Sequence, residues 1–292
     1  MFTTKKLKRK DTEFTVRIYE PEYYVGSLLI LHGMSEHKRR YHNMLKYLKD
    51  NNIYGVIYDH RGHGSRQKTR MGHFDSFVEL VEDAEAVFDL LPKDKPRFVL
   101  GHSMGSIVLR VLLKDIEPDG AIIVGTGTKD STLDKIGSKL INSLTKVLPK
   151  RHSPLINKLG FMGYDERIKG NMRNRWLSSN YANIYEYNRD PLSGNMMSNS
   201  VFKETNNAMF LVDHSAYIST YPKNTRYLFL SGKDDAFSHY GKDIALLRDK
   251  FSSEGLDAEA ILYEGYRHEV LNEGTRYEIY DTIIEWMKQD EK

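Results

Sequence analysis

The segment Gly101-His102-Ser103-Met104-Gly105 places the tightest constraint on how this chain can fold. It follows the strand-like run Arg97–Leu100 and precedes Ile107–Ile116, which has helical spacing. Where a strand turns directly into a helix, the two backbones come so close that glycine is needed on either side of the turn. The serine then lies at the tip of the turn, with its hydroxyl exposed and a helix N-terminus beneath it that favours negative charge. Ser103 is therefore a candidate nucleophile.

Strand-like and helix-like runs alternate along the chain, which predicts an α/β fold with a mostly parallel central sheet flanked by helices. Apolar runs predict strands at Phe14–Tyr19, Ser27–Leu31, Tyr54–Tyr58, Arg97–Leu100, Ala121–Val124, Tyr227–Leu230 and Ala260–Tyr263. Helical spacing predicts helices at Tyr41–Asp50, Phe77–Leu91, Ile107–Ile116, Leu133–Leu148, Gly241–Phe251 and Thr275–Lys288. In such sheets, sites form at the carboxyl ends of the strands. We therefore expect the residues that follow the strands to meet at one edge.

The stretch from Lys129 to Tyr221 shows no clear apolar strand, although strands are predicted on both sides of it. Long strand-free connections in compact domains tend to be functional. We interpret residues 129–221 as an inserted helical cap over a core made of residues 1–128 and 222–292. The alternative is a set of ordinary surface helices. Apolar side chains that either line a pocket under the cap or fill a core are Met162, Met172, Met196, Met197, Met209 and Phe210.

Three side chains at predicted strand ends have the chemistry of a catalytic triad. A serine hydroxyl is a poor nucleophile near neutral pH and needs a base, which a histidine oriented by a carboxylate provides. Asp234 and Asp235 follow the next-to-last predicted strand, and His268 follows the last one. Serine, acid and histidine then occur in the chain order that this fold context predicts. Ser103, one of the two aspartates and His268 are the candidate triad.

The other histidines do not fit the role of the base, although the chain has eleven histidines. His102 adjoins the serine, but successive residues at a sharp turn point apart, so we interpret it as a packing or hydrogen-bonding residue. His32 is expected to brace the loop after its strand. His37, His60 and His63 could line a pocket, but they precede the serine in the chain. No histidine pair has compact ligand spacing with a third ligand nearby, so no metal is expected.

A tetrahedral oxyanion needs two fixed N–H donors, each of which contributes about 3 kcal/mol to transition-state stabilisation. One donor is expected to be the amide of Met104, directly after the nucleophile. The other is expected from the loop after the early buried strand, where Met34 follows His32-Gly33. Both assignments depend on position alone, because backbone donors leave no mark in a sequence.

Composition excludes several classes of protein. The chain has no cysteine, which rules out disulfides, thiolate zinc sites and cysteine catalysis and suits a reducing compartment. A formal net charge of +3 is too small to indicate nucleic-acid binding. The basic N-terminus, up to Lys10, is interpreted as a solvated end, because no apolar run follows it to complete a signal peptide. No segment reaches the ~18 apolar residues of a membrane span.

Five motifs occur in order along the chain. They are His32-Gly33-Met34-Ser35-Glu36-His37, Asp59-His60-Arg61-Gly62-His63-Gly64, Gly101-His102-Ser103-Met104-Gly105, Ser231-Gly232-Lys233-Asp234-Asp235 and Tyr263-Glu264-Gly265-Tyr266-Arg267-His268-Glu269-Val270-Leu271-Asn272-Glu273. Together they resemble the monoacylglycerol lipase and lysophospholipase group of α/β-hydrolases. The resemblance covers about residues 14–285 apart from the middle stretch. It implies an α/β-hydrolase fold, a serine hydrolase of acyl esters, a cap over the site and an oxyanion-hole segment at His32-Gly33-Met34.

The resemblance also distinguishes the two aspartates. The family pattern Gly-x-x-Asp, applied to Gly232, places the acid at Asp235 and leaves Asp234 as a neighbour that points elsewhere. The chain departs from the family at Ser106, where another glycine is common. We expect this serine to change only local packing.

The leading hypothesis is a cytoplasmic hydrolase of carboxylic esters, such as monoacylglycerols or lysophospholipids, that acts through an acyl-enzyme intermediate without a cofactor. Its expected partner is a small acyl ester, with no nucleic acid, and any transient membrane-surface contact is expected through the cap. Two alternatives stay open: an amidase or peptidase on the same triad, and a catalytically idle α/β-hydrolase that binds a ligand. Acyl chain length, head group and oligomeric state are also left open by the sequence.

Overall fold

The computed structural model of the chain describes residues 1–9, 12–65, 70–129, 132–146, 148–166 and 168–289. Its central sheet consists of β1 (Thr3–Arg9), β2 (Thr12–Tyr19), β3 (Gly26–Leu31), β4 (Ile53–Tyr58), β5 (Arg97–His102), β6 (Gly120–Val124), β7 (Arg226–Gly232) and β8 (Asp257–Tyr263). The strand order is β1-β2-β4-β3-β5-β6-β7-β8. Strands β3 to β8 are mutually parallel, whereas β2 pairs antiparallel with β4 and with β1. The predicted mostly parallel sheet is confirmed, and every predicted strand is present.

The basic N-terminal stretch forms the edge strand β1, which the interpretation as a solvated end missed. Lys5 pairs with Val16 and Leu7 with Phe14, while most side chains of β1 remain exposed to solvent. Lysine-rich sequence has low strand propensity, so the pattern alone gave no strand signal. Charged side chains on an edge strand also protect it against pairing with another chain. The exposure was predicted correctly, but the pairing was not.

Helices cover both faces of the sheet. Those that flank it are α1 (His42–Asp50), α2 (Phe77–Phe88), α3 (Met104–Leu112), α9 (Lys242–Ser253) and α10 (Arg276–Met287). The side chains of β3 point alternately to the two faces of the sheet and so enter both hydrophobic cores. Leu29 and Leu31 lie in the core beneath α2, α3 and α9. Leu28 and Ile30 lie in the core beneath α1 and α10. A strand that is buried on both faces has a continuous apolar sequence, and β3 has such a sequence.

The connection between β6 and β7, residues 125–225, is called the helical insertion below. Its helices are α4 (Thr132–Thr145), α5 (Pro154–Gly160), α6 (Tyr181–Arg189), α7 (Asn199–Val212) and the short α8 (Ser215–Ile218). Its described residues form no strand. Helix α7 contacts α2 and α3, and α4 packs on α7. Val147, inside the predicted helix at Leu133–Leu148, lies outside the described residues.

Nowhere in the described part of the chain is a helix both long enough and apolar enough to cross a membrane.

A buried ion pair joins α3 to the helical insertion. The guanidinium of Arg110, which is 0% exposed, donates to Asp213 Oδ1 at 2.6 Å and to the Val212 carbonyl at 2.8 Å. Asp213 also accepts the Lys129 N–H at 2.7 Å. Both ends of the insertion are therefore held near α3.

Replacing Asp213 by Ala should lower the free energy of unfolding by about 3–5 kcal/mol, because it leaves the Arg110 charge buried without its carboxylate. Urea denaturation followed by circular dichroism measures the change. The exposed Asp94 offers a control, and Asp94→Ala should stay within about 0.5 kcal/mol of the unmodified chain. Equal losses in the two variants would contradict the proposed role of the pair.

Candidate active site

Ser103 lies at a strained turn between β5 and α3. Its backbone has φ 53° and ψ −118°, a conformation that residues other than glycine rarely adopt. A Cβ on Gly101 would lie 2.4 Å from the Gly105 carbonyl oxygen, and a Cβ on Gly105 would lie 2.0 Å from the Leu31 carbonyl oxygen. The Ser103 N–H donates to the Val124 carbonyl at 2.9 Å, which ties the turn to β6. Both glycines are therefore required by the close approach.

His268 and Asp235 form a buried pair at the ends of β8 and β7. The distances from His268 Nδ1 to Asp235 Oδ1 and Oδ2 are both 3.1 Å, and the side chains are 2% and 0% exposed. The same carboxylate accepts the Phe237 N–H at 2.9 Å and the Ser231 hydroxyl at 3.1 Å. Burial would raise the pKa of Asp235, but His268 and these donors outweigh it and hold the pKa below its usual value.

The two adjacent aspartates have different surroundings. Asp234 is exposed, and its N–H donates to the Tyr266 carbonyl at 2.9 Å, whereas the buried carboxylate of Asp235 reaches His268. The structure therefore places Asp235, and not Asp234, against the imidazole.

Ser103 and His268 line the same cavity, which has a volume of about 220 Å³. Met34 from the loop after β3 lines it as well, and a Cβ on the preceding Gly33 would lie 3.1 Å from Ser103 Cβ. Met104 begins α3 directly after the serine. Ser103, His268 and Met34 thus meet around one space, while Asp235 lies behind His268 and Met104 lines an adjoining cavity.

Glu36 fixes this loop through a cluster that sequence reasoning missed. Its Oε1 accepts the Gly33 N–H at 2.6 Å and the Tyr41 hydroxyl at 2.9 Å, and it lies 2.9 Å from His102 Nδ1. His102 Nε2 lies 3.3 Å from the His268 carbonyl oxygen. Although burial lowers the pKa of His102, Glu36 more than offsets this and raises it. A protonated His102 can donate from both nitrogens, so it links the oxyanion loop to the backbone of His268. The expectation that His102 is a hydrogen-bonding residue is confirmed.

Arg40 extends the cluster into the helical insertion. Its guanidinium donates to Glu36 Oε2 at 2.9 Å, to the carboxylate of Glu269 and to Asn183 of α6 at 2.9 Å. Glu36 and Glu269 are each 2% exposed. Burial would lower the pKa of Arg40, but the two carboxylates raise it well above its usual value, so the charge is retained. The signal for this cluster lay in the motifs themselves, since Glu36 and Glu269 flank the oxyanion loop and the histidine.

A group of buried histidines supports the same loop from the other side. His32 Nδ1 contacts the Gly33 carbonyl at 2.8 Å, and its Nε2 accepts the His60 N–H at 3.0 Å, so His32 braces the loop as predicted. The rings of His60 and His63 lie 4.5 Å and 5.4 Å from that of His32. Burial lowers the pKa of His32, and it lowers the pKa of His63 to about 4.

The sequence left three histidines, His37, His60 and His63, as candidates to line a pocket. His37 binds Asp190 of the helical insertion at 2.6 Å. None of the three is among the residues that line the cavity with Ser103, and His60 and His63 are buried behind the loop. The described residues include no group of three or more histidine, cysteine, aspartate or glutamate side chains that could hold a metal ion.

A second cavity, of about 100 Å³, adjoins the first and is more apolar. Met34, Ser103, Phe161 and Trp176 line both cavities. The second cavity is otherwise lined by Met104, Ile107, Lys129, Ile141, Gly160, Tyr164, Phe202, Thr205, Asn206, Met209 and Phe237. The first is more polar, with the side chains of Glu36, Asn157, Asn174, Asn195 and Glu269 on its wall. Ser103 therefore lies where a polar space meets an apolar one.

The methionines named from the sequence separate into different environments. Met196 lines the first cavity and Met209 the second. Met197 is fully buried in the core, and Met162 is 60% exposed. Only part of the predicted set therefore faces the space next to Ser103.

The low pKa of His63 makes stability depend on pH. The folded pKa of about 4 lies below the unfolded value of 6.5, so the unfolded chain binds the proton more tightly between these values. The His63 contribution is present in full above pH 6.5, and it should fall by up to about 3 kcal/mol as the pH drops to 4. Unfolding by urea at a series of pH values should show a smaller slope in His63→Asn. The exposed His214 is the control, and an unchanged slope in His63→Asn would contradict the assignment.

Comparison with known proteins identifies the family of the chain. Residues 24–275 match the family described as serine aminopeptidase, S33. An uncharacterized abhydrolase domain-containing protein of Dictyostelium discoideum is 26% identical over 285 residues, which cover 96% of this chain but 28% of that protein. The chain thus spans less than a third of the length of that relative. Mouse monoglyceride lipase is 28% identical over 253 residues, covering 82% of this chain and 74% of the lipase.

A solved structure has the same fold. A thermostable carboxyl esterase from Bacillus coagulans, crystallised with glycerol, has a TM-score of 0.89 at 21% identity, and the match covers 98% of each chain. The resemblance that the five motifs indicated is therefore confirmed, as is the α/β-hydrolase fold. The chain belongs to the serine aminopeptidase S33 family of α/β-hydrolases and is similar to monoglyceride lipases and esterases.

Proposed function

We propose that the protein hydrolyses carboxylic esters, with Ser103 as nucleophile, His268 as base and Asp235 as the acid that orients it. The observation that carries the proposal is that Ser103 and the buried His268–Asp235 pair meet at one cavity. The relatives that are named monoglyceride lipase and carboxyl esterase support an ester hydrolase.

The reaction proceeds through an acyl-enzyme. His268 Nε2 removes the proton from the Ser103 hydroxyl as its oxygen forms a bond to the ester carbonyl carbon. The carbonyl oxygen becomes an oxyanion, which the amides of Met34 and Met104 hold. When the bond to the alcohol breaks, His268 returns the proton to the leaving oxygen. A water molecule then attacks the acyl carbon, loses its proton to His268 and releases the acid, and the proton returns to Ser103.

Asp235 acts through His268. With its carboxylate on Nδ1, the imidazole keeps Nε2 free of hydrogen and able to accept the serine proton, and the imidazolium that forms is stabilised by the adjacent charge. The lowered pKa of Asp235 keeps the carboxylate ionised throughout.

The two cavities indicate the class of ester. The apolar cavity, with Ile107, Phe202 and Met209 on its wall, fits an acyl chain, whereas the polar cavity, with Asn157 and Asn195, fits the hydroxyl groups of the alcohol. We therefore propose esters of an apolar acid with a polyol, such as monoacylglycerols, or with a phosphate-bearing alcohol, as in lysophospholipids. Residues 129–221 would act as the cap, since they supply Phe202, Met209 and Asn195.

An amidase is the second candidate, because the matched family is described as a serine aminopeptidase. The same triad serves both reactions. Parallel assays of matched acyl esters and aminoacyl amides separate the two. Faster turnover of the amides would replace the ester assignment with the amidase one.

Ser103→Ala should abolish hydrolysis of short p-nitrophenyl esters, by about 10⁶-fold in kcat, because no other group can form the acyl-enzyme. The same change should abolish covalent labelling by a fluorophosphonate probe, while circular dichroism shows the fold to be intact. The exposed Ser219 supplies the control, and Ser219→Ala should keep full activity and labelling. Persistent labelling of the Ser103→Ala chain would mean that another residue is the nucleophile, and an unlabelled native chain would favour the idle ligand-binding alternative.

Asp235→Asn should lower kcat by about 10⁴-fold, because an amide cannot hold His268 in the tautomer that accepts the proton. Its neighbour is the matched control, since Asp234 is exposed and lies away from the imidazole. Asp234→Asn should therefore stay within about twofold of the native kcat. A large loss in Asp234→Asn with activity retained in Asp235→Asn would reverse the two roles.

A further inference from the structure

One segment of the helical insertion, residues 174–180, runs directly beside the loop that carries His268. The His268 N–H donates to the Trp176 carbonyl at 3.4 Å, and the Glu269 N–H donates to the Leu177 carbonyl at 2.6 Å. We call residues 174–180 the clamp segment. The two bonds attach the clamp segment, which contains the 3₁₀ turn Arg175–Leu177, to the histidine loop.

Two charged side chains of the histidine loop hold the clamp segment in place. The guanidinium of Arg267 donates to the carbonyls of Arg175 and Ser178 at 2.8 Å and 2.7 Å. The carboxylate of Glu273, which is 0% exposed, accepts the Ser179 N–H at 2.7 Å and the Asn180 N–H at 3.0 Å. An anion that binds consecutive N–H groups fixes the backbone in one conformation. The segment is therefore attached to the core.

The clamp segment presents Trp176 to the face of the His268 imidazole. The ring centroids are 4.7 Å apart, with an angle of 40° between the planes. The Tyr164 ring lies 4.8 Å from the indole, and the backbone N–H of Trp176 donates to Asp165 Oδ1 at 2.8 Å, which holds the residue in place. Trp176 is 8% exposed. It cannot move away from the histidine without breaking these contacts.

We propose that Trp176 is a positioning residue for the catalytic histidine, an inference that rests on the proposed function. The Asp235 carboxylate holds only Nδ1, and the imidazole can still tilt about that bond. Three rings pack on the imidazole: Phe237 edge to face at 5.4 Å, His102 at 5.0 Å and Trp176, the nearest, at 4.7 Å. The indole thus prevents the tilt that would turn Nε2 away from Ser103. The face of an indole also attracts the imidazolium that forms during the reaction.

The first test compares three variants with p-nitrophenyl acetate, whose two-carbon acyl group does not fill either cavity. Trp176→Leu should lower kcat by about tenfold to hundredfold with KM within about twofold, because only the alignment of the base is lost. Trp176→Phe keeps an aromatic ring and should restore most of kcat. Trp286→Phe is the control, because the other tryptophan packs against Phe98 in the core and should leave kcat unchanged.

The second test uses fluorescence to check the contact on which the positioning role depends. In Trp286→Phe, Trp176 is the only tryptophan, so emission reports on its contact with His268. Adding His268→Asn at a fixed pH should shift this emission, because it removes the imidazole whose ring lies 4.7 Å from the indole. Unchanged emission would contradict the contact and with it the positioning role.

Outcomes for the two proposals are distinguishable. Native kcat in a folded Trp176→Leu chain overturns the positioning role while leaving ester hydrolysis intact. If Trp176→Leu does not fold, Trp176→Phe decides instead. A kcat in Trp176→Phe as low as in the His268→Asn chain would overturn the role, because an aromatic ring at this position would then not be enough to position the histidine. Absence of fluorophosphonate labelling in the native chain refutes the proposed function itself.

Discussion

The close approach of the loop after β3 to the first turn of α3 is the constraint on which the site depends. Gly105 packs so tightly on Leu31 that a Cβ would lie 2.0 Å from its carbonyl oxygen, and Gly33 lies against Ser103 in the same way. This contact brings the candidate oxyanion loop beside the serine without any side chain between them. The strained backbone of Ser103 follows, since the chain must leave β5 and enter α3 within one residue.

Buried charges then fix the loops that this contact brings together. Glu36 binds the N–H of Gly33, and through His102 it reaches the backbone of His268. Arg40 joins Glu36 to Glu269, so the oxyanion loop and the histidine loop share one guanidinium. Well-packed apolar residues would give equal or greater stability than such buried pairs. Hydrogen bonds are directional, however, and apolar contacts are not, so the cluster determines where the N–H groups point.

The strands, the flanking helices and the positions of Ser103, Asp235 and His268 could be read from the sequence. Each has a local signal, either an apolar run, helical spacing or a residue directly after a strand. Edge strand β1 has no such signal, because Lys5 and its neighbours stay in solvent and only pairing with β2 orders them. Arg40 and Trp176 also had none, since an arginine or a tryptophan in a loop looks the same whether it is exposed or bonded to a distant segment.

The helical insertion contributes to the site at three separate places. The Tyr187 hydroxyl and the Gly194 N–H both donate to the Ser35 carbonyl, at 3.0 Å and 2.8 Å, next to the candidate oxyanion donor Met34. Asn183 binds both Arg40 and Glu269. The clamp segment holds the histidine loop.

These contacts mean that the insertion does more than cover the cavity. A lid that only covered the cavity could be removed or exchanged with an effect on substrate choice alone. Here the insertion is bonded to the backbone of the loops that carry Met34 and His268, so the geometry of the proposed base and oxyanion donors depends on it. Variation in the insertion would then alter kcat together with specificity, because the same segment that lines the two cavities also holds these loops.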